Sequence, residues 1–154
     1  MITLNILWAV LGTLGFCIIF HVPAKCIFPA AVTSFFAWTL YETAIANGLS
    51  PVMATFFGSC AVALLSDIFA RVIKEAATVF IIPGILPLVP GSGIYYTLYY
   101  FINGSTEFAI ENGSQTLMTA GAISVALISV SAGIRSFVTI KGSIRSLPEK
   151  LKNR

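Results

Sequence analysis

Apolar residues run through this chain in five long blocks, at roughly 2–20, 27–46, 51–70, 77–102 and 116–137, separated by short polar segments. A helix needs about 20 apolar residues to cross a hydrocarbon core of about 30 Å, and each block approaches that length. The pattern predicts an all-α integral membrane protein of five transmembrane helices. Its connectors would be His21 to Cys26, Asn47 to Ser50, Arg71 to Ala76 and Asn103 to Gln115.

The fourth block is interrupted. Ile82-Pro83-Gly84-Ile85-Leu86-Pro87-Leu88-Val89-Pro90-Gly91-Ser92-Gly93 places three prolines within eight residues, followed by two glycines around a serine. Proline removes a helix hydrogen bond and kinks the chain. Irregular backbone survives at membrane depth only when it is enclosed by protein or lines a watery cavity. The expectation is a half-helix from about Ala77 to Leu86, an irregular stretch to Gly93, and a second half-helix from Ile94 to Ile102. The junction would lie near the bilayer midplane. There the amides of the second half-helix, from Ser92 to Tyr96, form a partial positive charge suited to a carboxylate or phosphate. Broken helices of this kind mark substrate sites in transporters. Pro90, Gly91, Ser92, Gly93 and Tyr96 are the candidate substrate-binding residues; a kinked structural helix is the alternative.

Composition agrees with the membrane reading. Hydrophobic residues make up 57% of the chain and charged residues 10%, with a mean hydropathy of +0.92, against about 25% charged in soluble domains. No room is left for a soluble catalytic domain. The net charge of +3 comes mainly from a basic C-terminal segment, 141–154, carrying Lys141, Arg145, Lys150, Lys152 and Arg154 against Glu149. It reads as a membrane-surface tail following a transmembrane domain over 1–140, with no nucleic-acid footprint. Lys25, Arg71, Lys74 and the tail all fall on one face of a five-span arrangement, while the second connector is uncharged and the fourth holds only Glu107 and Glu111. The positive-inside tendency then puts the N-terminus outside and the C-terminus in the cytoplasm. The first residues lack the positive charges of a signal peptide, so the first block is expected to be a retained span. Two Asn-Gly-Ser triplets, at 103–105 and 112–114, fit turn chemistry as well as they fit glycosylation.

Ionisable residues inside spans are costly and mark functional candidates. Glu42 continues a polar stripe through Ser34 and Trp38 and is a candidate for proton coupling, or an interfacial carboxylate. Asp67 is a second such candidate, although Arg71 one turn later offers it an ion pair. Arg135 is expected to snorkel to the inner interface, and His21 to be solvated at a membrane boundary. Tyr95, Tyr96, Tyr99 and Tyr100 combine an aromatic belt with one or two pathway-facing rings. Cys17, Cys26 and Cys60 lack metal-ligand spacing and read as packing residues. No nucleophile–base pair, nucleotide loop or His/Cys metal cluster is present, so neither an enzyme nor a cofactor or metal is expected.

The segment from Val79 through Gly93 resembles the proline-glycine signature of the threonine/serine exporter family. Gly48-Leu49-Ser50-Pro51 and the spacing of the spans are similar too, and the likeness covers roughly residues 5 to 140. At this length the chain is similar to the family's separate small subunit. The resemblance implies an inner-membrane exporter of threonine and serine, or of a dicarboxylate such as succinate. It also implies a larger hydrophobic partner subunit and export driven by the proton-motive force. A structural subunit stabilising that partner and a homo-oligomeric channel are the other readings.

Overall fold

The computed structural model of the chain describes the backbone of residues 2–152 and the side-chain surroundings of residues 3–134 and 136. Among these the fold is entirely helical: α1 (Ile2–Ile19), α2 (Ala24–Ala46), α3 (Pro51–Ile73), α4 (Thr78–Ile85), a 3-10 turn (Leu86–Leu88), α5 (Gly91–Ile102) and α6 (Thr106–Lys152). The tail side chains and Arg135 lie outside the described residues; the backbone of α6 continues helically through Lys152.

The helix ends follow one local rule. α1, α2, α3 and α5 each stop where a residue adopts the left-handed conformation: His21 (φ 52°), Gly48 (φ 81°), Lys74 (φ 60°) and Gly104 (φ 76°). This turn lets the following amide reach back to an otherwise unpaired carbonyl. Val22 N donates to Cys17 O at 2.9 Å, Leu49 N to Ala44 O at 3.1 Å, Glu75 N to Ala70 O at 3.1 Å and Ser105 N to Tyr100 O at 2.9 Å. The next helix then starts abruptly. At α3 the hydroxyl of Ser50 accepts from Met53 N, and Pro51 fills the first helical position, where its missing N–H costs nothing.

α2 and α3 form the centre. α2 packs against α1, α3 and α4, while α3 also packs against α4 and α6. α5 touches only α6 among the described residues. Close approach relies on small residues, as in membrane bundles. A Cβ at Gly58 of α3 would stand 3.0 Å from Ala37 O and 3.1 Å from Leu88 Cδ1, and one at Gly84 of α4 would stand 3.1 Å from Thr33 Cγ2. These contacts surround the apolar cluster of Ala37, Val62 and Leu88; a second cluster joins Cys17, Cys26, Ala30 and Phe80 toward the other end. Gly58 and Ala126 are closely packed, but Gly12, Gly15, Gly121 and Gly133 face open space within this chain.

By length and apolarity, α3 and residues Thr106–Ile134 of α6 can each cross a membrane, and α4 with α5 make a third crossing if taken as one span bent by 51°. α1 is apolar but short, and α2, though 23 residues long, is diluted by Lys25, Pro29, Glu42 and its threonines. Two local expectations need correction. The break in the fourth block is only Val89 and Pro90, because Pro87 opens a 3-10 turn and Pro90 caps α5, both places where a missing amide is harmless. The fourth connector shrinks to Asn103–Ser105, so the second Asn-Gly-Ser lies inside α6, where Asn112 Nδ2 donates to Phe108 O at 3.0 Å.

Candidate functional site

The break in the fourth block opens onto a cavity of about 400 Å³. One wall is the break itself and the start of α5: Pro87 to Pro90, then Ser92 and Gly93. Trp38 and Tyr41 of α2 form a second wall, Pro51 and Thr55 at the start of α3 a third. Asn112, Gln115, Thr116 and Thr119 of α6 close the remaining side. All four α6 residues lie on one helix face, spaced by three, four and seven.

α5 enters this cavity by its N-terminus. Pro90 has no side-chain cap, and the first amide to bond back into the helix is that of Ile94, to Pro90 O at 3.1 Å. The Ser92 and Gly93 amides are therefore first-turn donors free for a ligand, at the positive end of the helix dipole. The threonines supply the opposite polarity. Thr55 donates its hydroxyl proton to Pro51 O at 2.8 Å, Thr116 to Asn112 O at 2.7 Å and Thr119 to Gln115 O at 2.8 Å. With the protons held by their own helices, the oxygens retain lone pairs for a ligand's ammonium or hydroxyl. No lining side chain carries a formal charge.

α5 is held at this depth by reciprocal small-to-threonine packing on α6. A Cβ at Gly93 would overlap Thr116 Oγ1, and one at Gly113 would stand 3.1 Å from Thr97 Cγ2. Thr97 itself donates to Gly93 O at 2.7 Å.

Of the residues singled out in the sequence, the structure brings Pro90, Ser92 and Gly93 into the cavity wall. Gly91 has open space around it and Tyr96 is half exposed; neither is part of the wall. The four tyrosines stack along α5, Tyr95 on Tyr99 and Tyr96 on Tyr100. Glu42 is one residue beyond Tyr41, outside the wall, and accepts from Asn5 Nδ2 at 2.8 Å. Asp67 is distant along α3 and pairs with Arg71 Nε at 2.6 Å. At the same end Lys25 Nζ meets Glu75 at 2.6 Å, which joins the α1–α2 and α3–α4 turns and holds the lysine's pKa above its ordinary 10.5. The α6 stripe from Asn112 to Thr119 was not singled out. Its helical spacing is visible in the sequence, but only if 106–115 is read as helix rather than connector.

Compared with known proteins, the chain matches no curated protein and no solved structure at a significant level. A family model described as threonine/serine exporter, ThrE, does match, over residues 5–132. That stretch contains every wall of the cavity, and the chain belongs to the threonine/serine exporter family.

Proposed function

We propose that this chain is the membrane subunit of a two-component exporter, and that it binds a small amino acid in the cavity beside the break. Family membership supplies the transport role. The observation that carries the site is the meeting of free α5 amides with threonine acceptors in a cavity without charged side chains. A zwitterion such as threonine or serine brings one carboxylate for the amides and one ammonium for the acceptors. A dicarboxylate would bring two anionic groups to a wall with no cation, and burying an unpaired charge is strongly unfavourable. The lining therefore favours the amino acid over succinate.

In this reading α1, α2, α3, the α4–α5 pair and the first part of α6 are five spans of the inner membrane, N-terminus outside. The cavity lies nearer the outer face, beside the α2–α3 turn. A larger partner is supported by how little of α5 and α6 this chain covers. Only 11% of the apolar stretch of α6 is buried, against 39% for α3, and α5 has no buried residue. Helix faces carrying Tyr95, Tyr96 and Tyr99, each about half exposed or more, suit contact with another bundle. Glu42, adjacent to Tyr41 at the cavity, is the better placed candidate for coupling to the proton-motive force. Asp67 is neutralised by Arg71 in the arrangement described.

The test is mass spectrometry of the medium from cells expressing this chain with and without a larger hydrophobic subunit from the same family. Threonine or serine released only with both supports the two-component exporter. Release with this chain alone would instead indicate a self-contained channel. Normal release by the larger subunit alone would make this chain a stabilising subunit.

A further inference from the structure

Beneath α4 the core is built from small and hydroxyl-bearing residues rather than large aliphatic ones. On α3, Thr55, Ser59, Val62, Ser66 and Ala70 fall on one stripe, spaced by four, three, four and four. Thr55 lines the cavity, and Ala70 packs against the inner cluster of Cys17, Cys26, Ala30 and Phe80. The stripe therefore runs about 22 Å from the cavity toward the α3–α4 turn. On α2 the matching stripe is Cys26, Ala30, Thr33 and Ala37, all fully buried. α4 and its 3-10 extension cover the seam between the two. Phe80 packs in the inner cluster, Gly84 lies over Thr33 and Val62, and Leu88 packs on Ala37 and Val62.

Two hydroxyls of this stripe are left unsatisfied. Thr33 and Thr55 each donate to the carbonyl one turn back, the usual arrangement on a helix. Ser59 Oγ and Ser66 Oγ are fully buried and bond to nothing. Ser66 lies one turn from both Val62 and Ala70, the residues that pack beside α4. Buried hydroxyls are normally paired with protein or water, and this packing gives them neither. α4 itself is short and interrupted. It has eight residues, no side-chain cap at Ala77, a proline at Pro83 that removes one hydrogen bond, and the Val89-Pro90 break just beyond. Its inner end is tied down by Lys25 and Glu75, whose ion pair joins the start of α2 to the α3–α4 turn at 2.6 Å.

We infer that α4 is the inner gate of the carrier and that the Lys25–Glu75 pair is its latch. α4 lifts from the α2–α3 seam about the Val89-Pro90 break, and Thr33, Ser59 and Ser66 become the polar path between the cavity and the face carrying the latch. This rests on the cavity being the solute site. That site lies nearer the outer face, so an exported solute needs a route to it from the cytoplasmic side. In the closed arrangement Phe80, Val62 and Leu88 fill the route; once α4 leaves, small residues and free hydroxyls line it. α5 can stay on α6 during the movement, because its contact through Gly93 and Thr116 lies beyond the break.

The experiment places the full chain with its partner in proteoliposomes, with Cys17, Cys26 and Cys60 replaced by alanine. In Lys25→Cys/Glu75→Cys, a short bis-methanethiosulfonate joins the two turns. Threonine flux is expected to fall by about tenfold or more and to return on reduction, with Tm unchanged or raised by the link. A pair that only stabilises the fold would keep its flux when joined covalently, and that result would overturn the gate. The second readout is Ser66→Cys. A membrane-impermeant thiol reagent on the face carrying residues 25 and 75 should label it during threonine efflux, and much more slowly when the latch is crosslinked. Absence of labelling while threonine is being transported would overturn the seam as the path and leave the cavity assignment intact. Absence of threonine flux in every form, wild type included, would overturn the cavity assignment and this inference with it.

Discussion

Gly93 offers the sharpest mechanical test of the site, because its requirement for a bare Cα comes from a single neighbouring atom. A Cβ built there overlaps Thr116 Oγ1 and stands 3.3 Å from Thr116 Cβ. Thr116 cannot turn away freely, since its hydroxyl is bonded to Asn112 O at 2.7 Å. Gly93→Ala therefore pushes α5 off α6, an overpacking cost of about 1–3 kcal/mol. The helical gain of alanine over glycine offsets about 0.5–1 kcal/mol of it. The net expectation is a loss of up to about 2.5 kcal/mol, read as a lower Tm in detergent, with solute efflux reduced because the displaced turn carries the Ser92 and Gly93 amides. Thr116→Ala removes the offending oxygen, so Gly93→Ala/Thr116→Ala should recover most of the stability. Thr116→Val puts a methyl where the oxygen was and should not rescue. Gly91→Ala serves as the control, for nothing lies within 4 Å of a Cβ there, and it should be neutral or slightly stabilising. The reasoning is refuted if Gly93→Ala proves as benign as Gly91→Ala, or if Thr116→Val rescues as well as Thr116→Ala.

Three further outcomes follow from the packing and the helix ends. Gly58→Ala should destabilise by about 1–3 kcal/mol in a denaturant or thermal titration, because one of the atoms it meets is the backbone oxygen of Ala37, which has little freedom to retreat. His21→Gly should stabilise by about 0.5 kcal/mol, since a histidine held at φ 52° loses its left-handed strain; His21→Val should do the reverse, and equal Tm values for the two would contradict the capping role. For the Lys25–Glu75 pair, a lysine pKa raised by its partner means that the stabilisation is complete below the unfolded value near 10.5 and fades as pH rises through the folded one. The Tm difference between wild type and Glu75→Gln should accordingly be the same at pH 7 and pH 9, and shrink only in stronger alkali.

How much of this was legible beforehand depends on the range of the interaction. The helices and their ends are written locally. Ser50-Pro51 announces the start of α3, and Asn-Gly marks the ends of α2 and α5, because cap and left-handed turn each need only a few consecutive residues. The same left-handed turn at His21 and Lys74 carries no such mark, since neither residue is a glycine or an asparagine. The break at Val89-Pro90 was legible as a break, but its extent was not: three prolines look like a long irregular stretch until two of them prove to occupy helix starts. Asn112 misled in the other direction. Its Asn-Gly-Ser context suggests a turn, yet the asparagine bonds within α6 and Gly113 admits Thr97 of α5, a tertiary contact that overrides the local preference.

The site follows the same division. Its α5 wall could be read from the prolines and glycines, whose clustering within one apolar block is conspicuous. Its α2 and α6 walls are built from a tryptophan, an asparagine, a glutamine and threonines, residues that signal nothing until the fold brings them together. The charged residues, most conspicuous of all, were the least informative: Asp67 pairs with Arg71, Lys25 with Glu75, and Glu42 with Asn5, so each already has a partner away from the cavity. For a carrier of net-neutral solutes this is physically coherent. A fixed charge in the wall would hold one end of a zwitterion tightly and raise the barrier to its release, whereas amides and threonine oxygens can bind both ends with dipoles alone.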